Sequence, residues 1–196
     1  MATPTLRRTP APAAPTQGAA RAYAWLVLVC GALGLAASAV LTVDKIRLLQ
    51  NPAYTPGCNL NPVISCGSIM RTDQASAFGF PNSLIGLAAF GAVLAVGAGL
   101  LAGATYRRWF WICFQLGTLL GLGFTCWLVY QALYEIGALC PYCMVVWAAV
   151  LPLAWYTLLH LLGRRPRLHW LVPALWYVGI ALLILHRFWY FWRTLP

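Results

Sequence analysis

Five long apolar runs divide this chain, and they constrain its fold more than any other feature of the sequence. A helix needs about 20 predominantly apolar residues to cross the hydrocarbon core of a bilayer. Helices are the expected spanning form, because every backbone polar group must find a partner within the segment where water is absent. The predicted helices cover residues 23–43, 83–104, 109–133, 140–162 and 170–188. The sequence therefore predicts an all-α integral membrane protein.

The last run is the shortest, and it has two interpretations. It carries His186 and Arg187 near its end, and the aromatic cluster at residues 188–192 is typical of a membrane interface. A fifth transmembrane helix is the prediction, and an interfacial helix is the alternative. No segment has the composition of a second folded domain. We therefore expect one membrane domain over residues 23–196, preceded by a disordered cytoplasmic tail at residues 1–22 that is rich in Ala, Pro and Thr.

Composition agrees with a membrane protein and argues against soluble classes. Hydrophobic residues make up 62% of the chain and charged residues 8%, and the mean hydropathy is +0.75. Such a chain would not stay soluble outside a lipid bilayer. The net charge of +10 comes from arginines that flank the apolar runs and form no folded basic surface, so nucleic-acid binding is not expected.

The distribution of basic residues predicts the orientation, because cytoplasmic loops carry an excess of Lys and Arg. Arginines precede the first helix and occupy the second and fourth connections; they are Arg7, Arg8, Arg21, Arg107, Arg108, Arg164, Arg165 and Arg167. We therefore expect a cytoplasmic N-terminus and an extracytoplasmic loop at residues 44–82, in a compartment that permits disulfides. The Ala- and Arg-rich composition favours a bacterial plasma membrane.

The first cysteine pair lies in this predicted loop. Cys58 and Cys66 are separated by seven residues, and the Pro and Gly residues around them predict turns in a segment able to move. Movement suits a thiol that shuttles between partners, with Cys58 meeting an external protein by mixed disulfide. A structural disulfide that clips the loop is the alternative.

The second pair, Cys140 and Cys143, forms a CxxC motif at the start of the fourth helix. Pro141 suits the first helical position, and the helix dipole favours a thiolate on Cys140. A lowered thiol pKa is what disulfide exchange near neutral pH requires. We therefore predict a redox-active pair; a structural bond and a zinc site built from all four cysteines are the alternatives. The spacing of Cys58 and Cys66 is unusual for zinc, so no metal is expected.

The order of these motifs resembles that of the vitamin K epoxide reductase family. The resemblance rests on Cys58-x7-Cys66, on Phe-Pro-Asn-Ser-Leu-Ile-Gly at residues 80–86, and on Cys140-x2-Cys143. In the DsbB-type oxidases, which perform similar chemistry, the two pairs come in the reverse order. The resemblance implies a four-helix bundle around a quinone of the menaquinone, ubiquinone or vitamin K type.

The resemblance also implies a path for electrons. They would pass from a separate thioredoxin-fold or DsbA-like protein to Cys58 and Cys66, then to Cys140 and Cys143, and finally to the quinone. Cys66 would exchange with Cys140. We expect a separate partner because no fused thioredoxin-like domain follows the fifth predicted helix. The implied function is support of disulfide bond formation; the alternatives are reduction of vitamin K quinone or its epoxide, and a non-enzymatic membrane subunit with structural disulfides.

Three residues are implied to contact the quinone. Cys143 would face it, just inside the edge of the bilayer. Asn82 matches the family's asparagine, which is expected to hydrogen-bond a quinone carbonyl as negative charge develops there; capping of the second helix is the alternative. Trp147 stands where vertebrate relatives carry a quinone-binding tyrosine, and its indole can donate one hydrogen bond and stack.

Overall fold

The computed structural model of the protein describes residues 17–164 and 166–193, and it is a bundle of helices. Within these residues the α-helices are α1 (Gln17–Gln50), α2 (Cys66–Met70), α3 (Asn82–Leu101), α4 (Arg108–Tyr130), α5 (Pro141–Leu162), α6 (Leu171–Arg187) and α7 (Trp189–Trp192), and there is no β-strand. A π-helical segment at Gln131–Ile136 continues α4. Four of them, α1, α3, α4 and α5, are long and apolar enough to cross a membrane. The prediction of an all-α, multi-pass membrane bundle is confirmed.

Helix α1 is longer at both ends than the apolar run from which it was predicted. It begins at Gln17, within the segment predicted to be a disordered tail, and residues 1–16 lie outside the described part of the chain. It continues past Val43 to Gln50, so the first residues of the predicted loop are helical. Polar residues end an apolar run without ending a helix, and the buried Leu48 still packs inward. The helix ends only near Pro52, which cannot continue it.

The segment between α1 and α3 is more regular than a mobile loop. Cys66 is the first residue of α2, and the side chain of Ser65 caps this helix by accepting a hydrogen bond of 3.2 Å from the Ser68 amide. The amide of Gly67 donates to Asn59 Oδ1 at 2.8 Å. A 3₁₀ turn at Asp73–Ser76 then leads to α3. The two helical turns lie over one end of the bundle, which we call the cysteine end.

Helices α1 and α3 pack closely because glycines lie between them. A Cβ at Gly31 would lie 2.6 Å from the backbone nitrogen of Leu94, and Gly86 faces Ser38 in the same way. Rising numbers on α1 thus meet falling numbers on α3, so the two helices are antiparallel. Helix α5 packs against both α1 and α4, whereas α3 and α4 make no extensive contact within the described residues.

Helix α6 has 17 residues, so it is about 25 Å long and shorter than the roughly 30 Å core of a bilayer. Its end is fixed to the connection between α4 and α5. Arg187 Nε donates a hydrogen bond of 2.9 Å to the carbonyl of Leu133, and Phe188 is fully buried in a cluster with Leu133 and Trp147. Full spanning by this segment stays a prediction.

Candidate redox site

A pair of backbone hydrogen bonds brings the two cysteine motifs together. The amide of Leu139 donates to the carbonyl of Val63 at 2.7 Å, and the amide of Ser65 donates to the carbonyl of Leu139 at 2.9 Å. Residues 64 and 139 thereby form an isolated parallel bridge. Cys66 and Cys140 each follow directly after these bonded residues. The bridge therefore sets the distance between the first residue of α2 and the residue that precedes α5.

The sulfur atoms at this junction are in contact. Cys58 and Cys66 form a disulfide, and the free thiol of Cys140 lies 3.3 Å from Cys66 Sγ. Reacting atoms about 3–3.5 Å apart are close enough to react when aligned. Cys66 and Cys140 are 0% and 1% exposed, so their exchange is shielded from the thiols of a folded protein. Cys58 is 8% exposed and is the outer member of the disulfide.

The start of α5 favours a thiolate on Cys140. Pro141 occupies the first turn, and Cys140 is the N-cap, whose sulfur accepts a hydrogen bond of 3.4 Å from the Cys143 amide. A hydrogen bond from the Cys143 side chain is the main cause that lowers the pKa of Cys140; the backbone amides of Tyr142 and Cys143 lower it further, and burial opposes them. The direction is the one expected from the sequence, although a neighbouring thiol contributes more than any other group.

An apolar cavity of about 420 Å³ lies beside this thiol pair, between α1, α3, α4 and α5. Cys140 and Cys143 both border it, together with Asn82 and Trp147. Pockets of this size and character commonly hold small organic ligands. Four of the six residues singled out in the sequence therefore border one cavity, and the other two, Cys58 and Cys66, lie next to it through the contact with Cys140.

Asn82 is the first residue of α3 and contacts both the cavity and the 3₁₀ turn. Its Nδ2 donates to the carbonyl of Gln74 at 2.6 Å, and its Oδ1 accepts from the Ala77 amide at 3.1 Å. It does not cap α3, because the N-cap position belongs to Pro81. Nδ2 carries two hydrogens, so one remains for a ligand in the cavity. Trp147, which is 3% exposed, presents its ring to the same cavity from α5.

Lys45 and Ser83 are polar side chains at the cavity that the sequence did not single out. Lys45 is half-buried and is the one charged residue among those that line it. Ser83 Oγ is buried and has no hydrogen-bond partner within the described residues. Ser38, Leu41 and Lys45 all line the cavity, and their spacing places them on one face of α1. The sequence could have shown this, because Lys45 follows Ser38 and Leu41 at helical spacing and so lies on the inward face of α1.

The cavity extends along the cleft between α3 and α4. Gly117 and Gly121 line it from α4, and a Cβ at either position would meet no atom within 4 Å. The cleft lies along two helices that are long and apolar enough to cross a membrane and that make no extensive contact with each other. A lipid-soluble electron acceptor fits this arrangement better than a water-soluble one.

The fold and the site define a class of protein. A membrane bundle that holds a disulfide against a CxxC thiol, beside an apolar cavity, is a membrane thiol–disulfide oxidoreductase. The model of the Vitamin K epoxide reductase family matches residues 25–158, and the chain belongs to that family. Members act in general as membrane thiol–disulfide oxidoreductases and use quinones. Comparison with curated proteins gives no significant match.

Proposed function

We propose that the protein transfers electrons from the thiols of a separate thioredoxin-fold protein to a membrane quinone, and so supports disulfide bond formation. The distance of 3.3 Å between Cys66 Sγ and Cys140 Sγ is the observation that carries the proposal. It joins the Cys58–Cys66 disulfide to a thiol pair that borders an apolar cavity. Cys143, deeper on α5 than Cys140, is the thiol that faces the quinone.

The exchange steps each break one disulfide and form one. A thiolate of the partner attacks Cys58, and the second thiol of the partner then resolves the mixed disulfide, which leaves Cys58 and Cys66 reduced. The Cys66 thiolate attacks Cys140 of a Cys140–Cys143 disulfide and releases Cys143 as a thiolate. Cys58 then attacks Cys66 and releases Cys140. The arrangement of one disulfide and two free thiols in the structure matches the end of this sequence.

The residues at the cavity fit a quinone. A bound quinone is the electron acceptor: two electrons and two protons leave the Cys140–Cys143 dithiol, which closes to a disulfide. Asn82 has one amide hydrogen to donate to a carbonyl oxygen, and Trp147 offers an aromatic face for packing against a flat ring. The apolar walls exclude water, and exclusion of water strengthens the hydrogen bond from Asn82.

The charge distribution supports an orientation with the cysteine end outside the cytoplasm. Arg21, Arg107, Arg108 and Arg164 lie at the opposite ends of the spanning helices from the cysteines. An excess of arginine marks the cytoplasmic side. We infer a bacterial plasma membrane with the N-terminus in the cytoplasm, which leaves Cys58 accessible to an extracytoplasmic partner.

The test is quinone reduction by the purified protein in detergent, with a reduced thioredoxin-fold protein as the donor. The wild type should reduce the quinone, and Cys143→Ala should abolish the reaction. Cys58→Ala should lose activity with the protein donor but keep it with a small dithiol that reaches Cys140 directly. Cys126→Ala is the matched control, because Cys126 is exposed on α4 and does not border the cavity.

A non-enzymatic subunit with structural disulfides predicts different results. In that case the wild type would be inactive with several quinones and donors, and Cys143→Ala would leave the function of the protein intact. Supplying the epoxide in place of the quinone tests the vitamin K alternative in the same assay. Turnover of the quinone but not of the epoxide supports the proposed role in disulfide formation.

A further inference from the structure

Lys45 is the only lysine of the chain, and its position at the cavity has no role in the steps above. It lies near the end of α1, half-buried, and its Nζ donates a hydrogen bond of 2.5 Å to the carbonyl of Met70. Met70 is the last residue of α2, and its carbonyl belongs to the negative end of that short helix. An ammonium group has three hydrogens, so two remain available after this bond.

The packing of α1 against α3 brings Lys45 to the level of Asn82. Ser38 faces Gly86 across the two antiparallel helices. Asn82 lies four residues from Gly86 and Lys45 lies seven residues from Ser38, both toward the cysteine end. At 1.5 Å per residue these are rises of about 6 Å and about 10.5 Å, so the two Cα atoms differ by about 4.5 Å along the axes.

The direction of the side chain reduces this difference. Side chains on a helix lean toward its N-terminus, which carries the Lys45 chain back toward the level of Asn82. Both residues line the same cavity. A donor with a positive charge and a neutral amide donor are therefore placed at the same end of the cavity, on neighbouring helices.

A positive charge that borders an apolar cavity is energetically unfavourable unless it interacts with a negative group. Charged side chains within apolar membrane surroundings are expensive and usually serve a function. Within the described residues Lys45 has no ion pair; Asp73 is the acidic residue that acts on it electrostatically. A single backbone carbonyl could be satisfied by a neutral donor. The charge therefore points to a ligand that becomes negative.

We propose that Lys45 is a second polar contact for the quinone head group, and that its positive charge stabilises negative charge on a quinone oxygen during reduction. The inference rests on the proposed function and adds a residue to it. The two protons and two electrons still come from the Cys140–Cys143 dithiol, and Lys45 keeps its proton throughout. Preorganised charge of this kind acts more strongly where water is excluded.

Three variants separate the charge from the hydrogen bond to Met70. Lys45→Gln keeps a donor and removes the charge, Lys45→Arg keeps the charge, and Lys45→Met removes both. With a small dithiol as the donor, kcat for quinone reduction should fall about 10- to 100-fold in Lys45→Gln. This is less than the roughly 100- to 1,000-fold loss on removal of a whole oxyanion donor, because Gln still donates a hydrogen bond. It should fall by no more than a few-fold in Lys45→Arg. Wild-type kcat in Lys45→Gln would overturn the inference.

A second measurement distinguishes a quinone contact from a role in holding α2. The rate of exchange between Cys66 and Cys140 is followed in the same variants without any quinone. It should be unchanged in Lys45→Gln, because this step does not involve the cavity ligand. If Lys45→Gln slows this exchange as much as it slows quinone reduction, Lys45 acts by positioning α2 and the inference is wrong.

Labelling of the only lysine gives a readout that does not depend on turnover. The Cys143→Ala variant is treated with an N-hydroxysuccinimide ester, with and without a fully substituted benzoquinone that carries a short alkyl chain. Mass spectrometry measures the labelled fraction of Lys45, and the N-terminal amine is the internal reference. The quinone should protect Lys45 several-fold and leave the reference unchanged.

The outcomes of the labelling separate this inference from the proposed function. Binding of the quinone is monitored in parallel by the shift in unfolding temperature that it produces. A quinone that raises this temperature without protecting Lys45 refutes the contact and leaves the proposed function standing. A quinone that does neither refutes both. If the quinone protects Lys45 from labelling but the wild type does not reduce it, the contact is supported and the proposed electron transfer is refuted.

Discussion

The turn that precedes Cys66 should control the rate at which the two cysteine pairs exchange. Asn61 Oδ1 accepts hydrogen bonds from the amides of Val63 at 3.0 Å and Ile64 at 2.7 Å. These residues belong to the segment that is bridged to Leu139, so the turn fixes the strand-like segment directly before Cys66. Asn61→Ala deletes both bonds without touching a cysteine, the cavity or the bridge itself.

The size of the effect follows from these two bonds. A typical intramolecular hydrogen bond contributes about 0.5–1.5 kcal/mol, so two contribute about 1–3 kcal/mol. Since 1.4 kcal/mol is a factor of ten, the closed turn should become about 5- to 150-fold less favoured relative to open forms. The effective concentration of Cys66 at Cys140 should fall by up to the same factor, because open forms separate the sulfurs.

The assay measures that effective concentration directly. In a variant with Cys58→Ser and Cys143→Ser, and with Cys30, Cys113 and Cys126 replaced by Ala, Cys66 and Cys140 can pair only with each other or with glutathione. Equilibration in glutathione buffers, followed by acid quenching and thiol counting at these two residues, gives the fraction of the Cys66–Cys140 disulfide. Asn61→Ala in this background should shift the half-point toward more oxidising buffer by the factor given above.

Asn51→Ala is the matched control. Asn51 makes the same kind of turn, since its Oδ1 accepts from the amide of Ala53 at 3.0 Å, but it is exposed and remote from the bridge. It should leave the effective concentration unchanged. If Asn61→Ala behaves as Asn51→Ala does while both proteins remain folded, the turn does not set the distance between the sulfurs, and the reasoning is refuted.

Three further predictions concern the thiol pair, the cleft and the end of α6. The hydrogen bond from Cys143 lowers the pKa of Cys140, so alkylation of Cys140 should reach half its maximal rate below the pH of about 8.5 that is typical of an ordinary thiol. Cys143→Ala should move that midpoint to higher pH. Alkylation rates with iodoacetamide, measured against pH, test this, and a midpoint that does not move contradicts it. Gly117→Leu should lower kcat/KM more for a quinone with an isoprenoid tail than for a quinone without one. Gly123 also lies in open space but does not line the cavity, so Gly123→Leu should not discriminate between the two quinones. If Gly117→Leu lowers kcat/KM equally for both quinones, the tail does not lie in the cleft between α3 and α4. Phe188→Ala should cost about 3 kcal/mol or more of stability because Phe188 is fully buried, as measured by unfolding in detergent; a loss below about 1 kcal/mol would show that this end of α6 is not docked.

The spanning helices were accessible from the sequence because apolar length is a property of single segments. The start of α5 was accessible too, since Pro141 and the CxxC motif mark a helix N-terminus locally. The extension of α1 to Gln50 was not, because the change from apolar to polar residues marks the edge of a membrane core rather than the end of a helix. The burial of Cys66 in α2 was missed for a related reason, since turn residues on both sides concealed a short helix.

The contact between Cys66 and Cys140 could not be predicted from local sequence patterns. The two residues are 74 positions apart, and the bridge between residues 64 and 139 that holds them has no local pattern. The predicted topology allowed their exchange and the family resemblance implied it, but neither gave the contact that holds them. Lys45 shows the converse case. Its place on the inward face of α1 was visible from spacing, but its meaning depended on a cavity that four helices form together.

In the proposed relay, the gradient of exposure at the cysteine end keeps the two substrates apart. Cys58 is the more exposed member of the outer disulfide, Cys66 and Cys140 are shielded from water, and Cys143 borders an apolar cavity. In this proposal the reduced thiol of a folded protein reaches Cys58 but not the junction, and a lipid-soluble acceptor reaches Cys143 but not Cys58. Each substrate of the proposed relay would thus meet only its own cysteine pair, and electrons would cross between the two phases through the buried contact of Cys66 with Cys140.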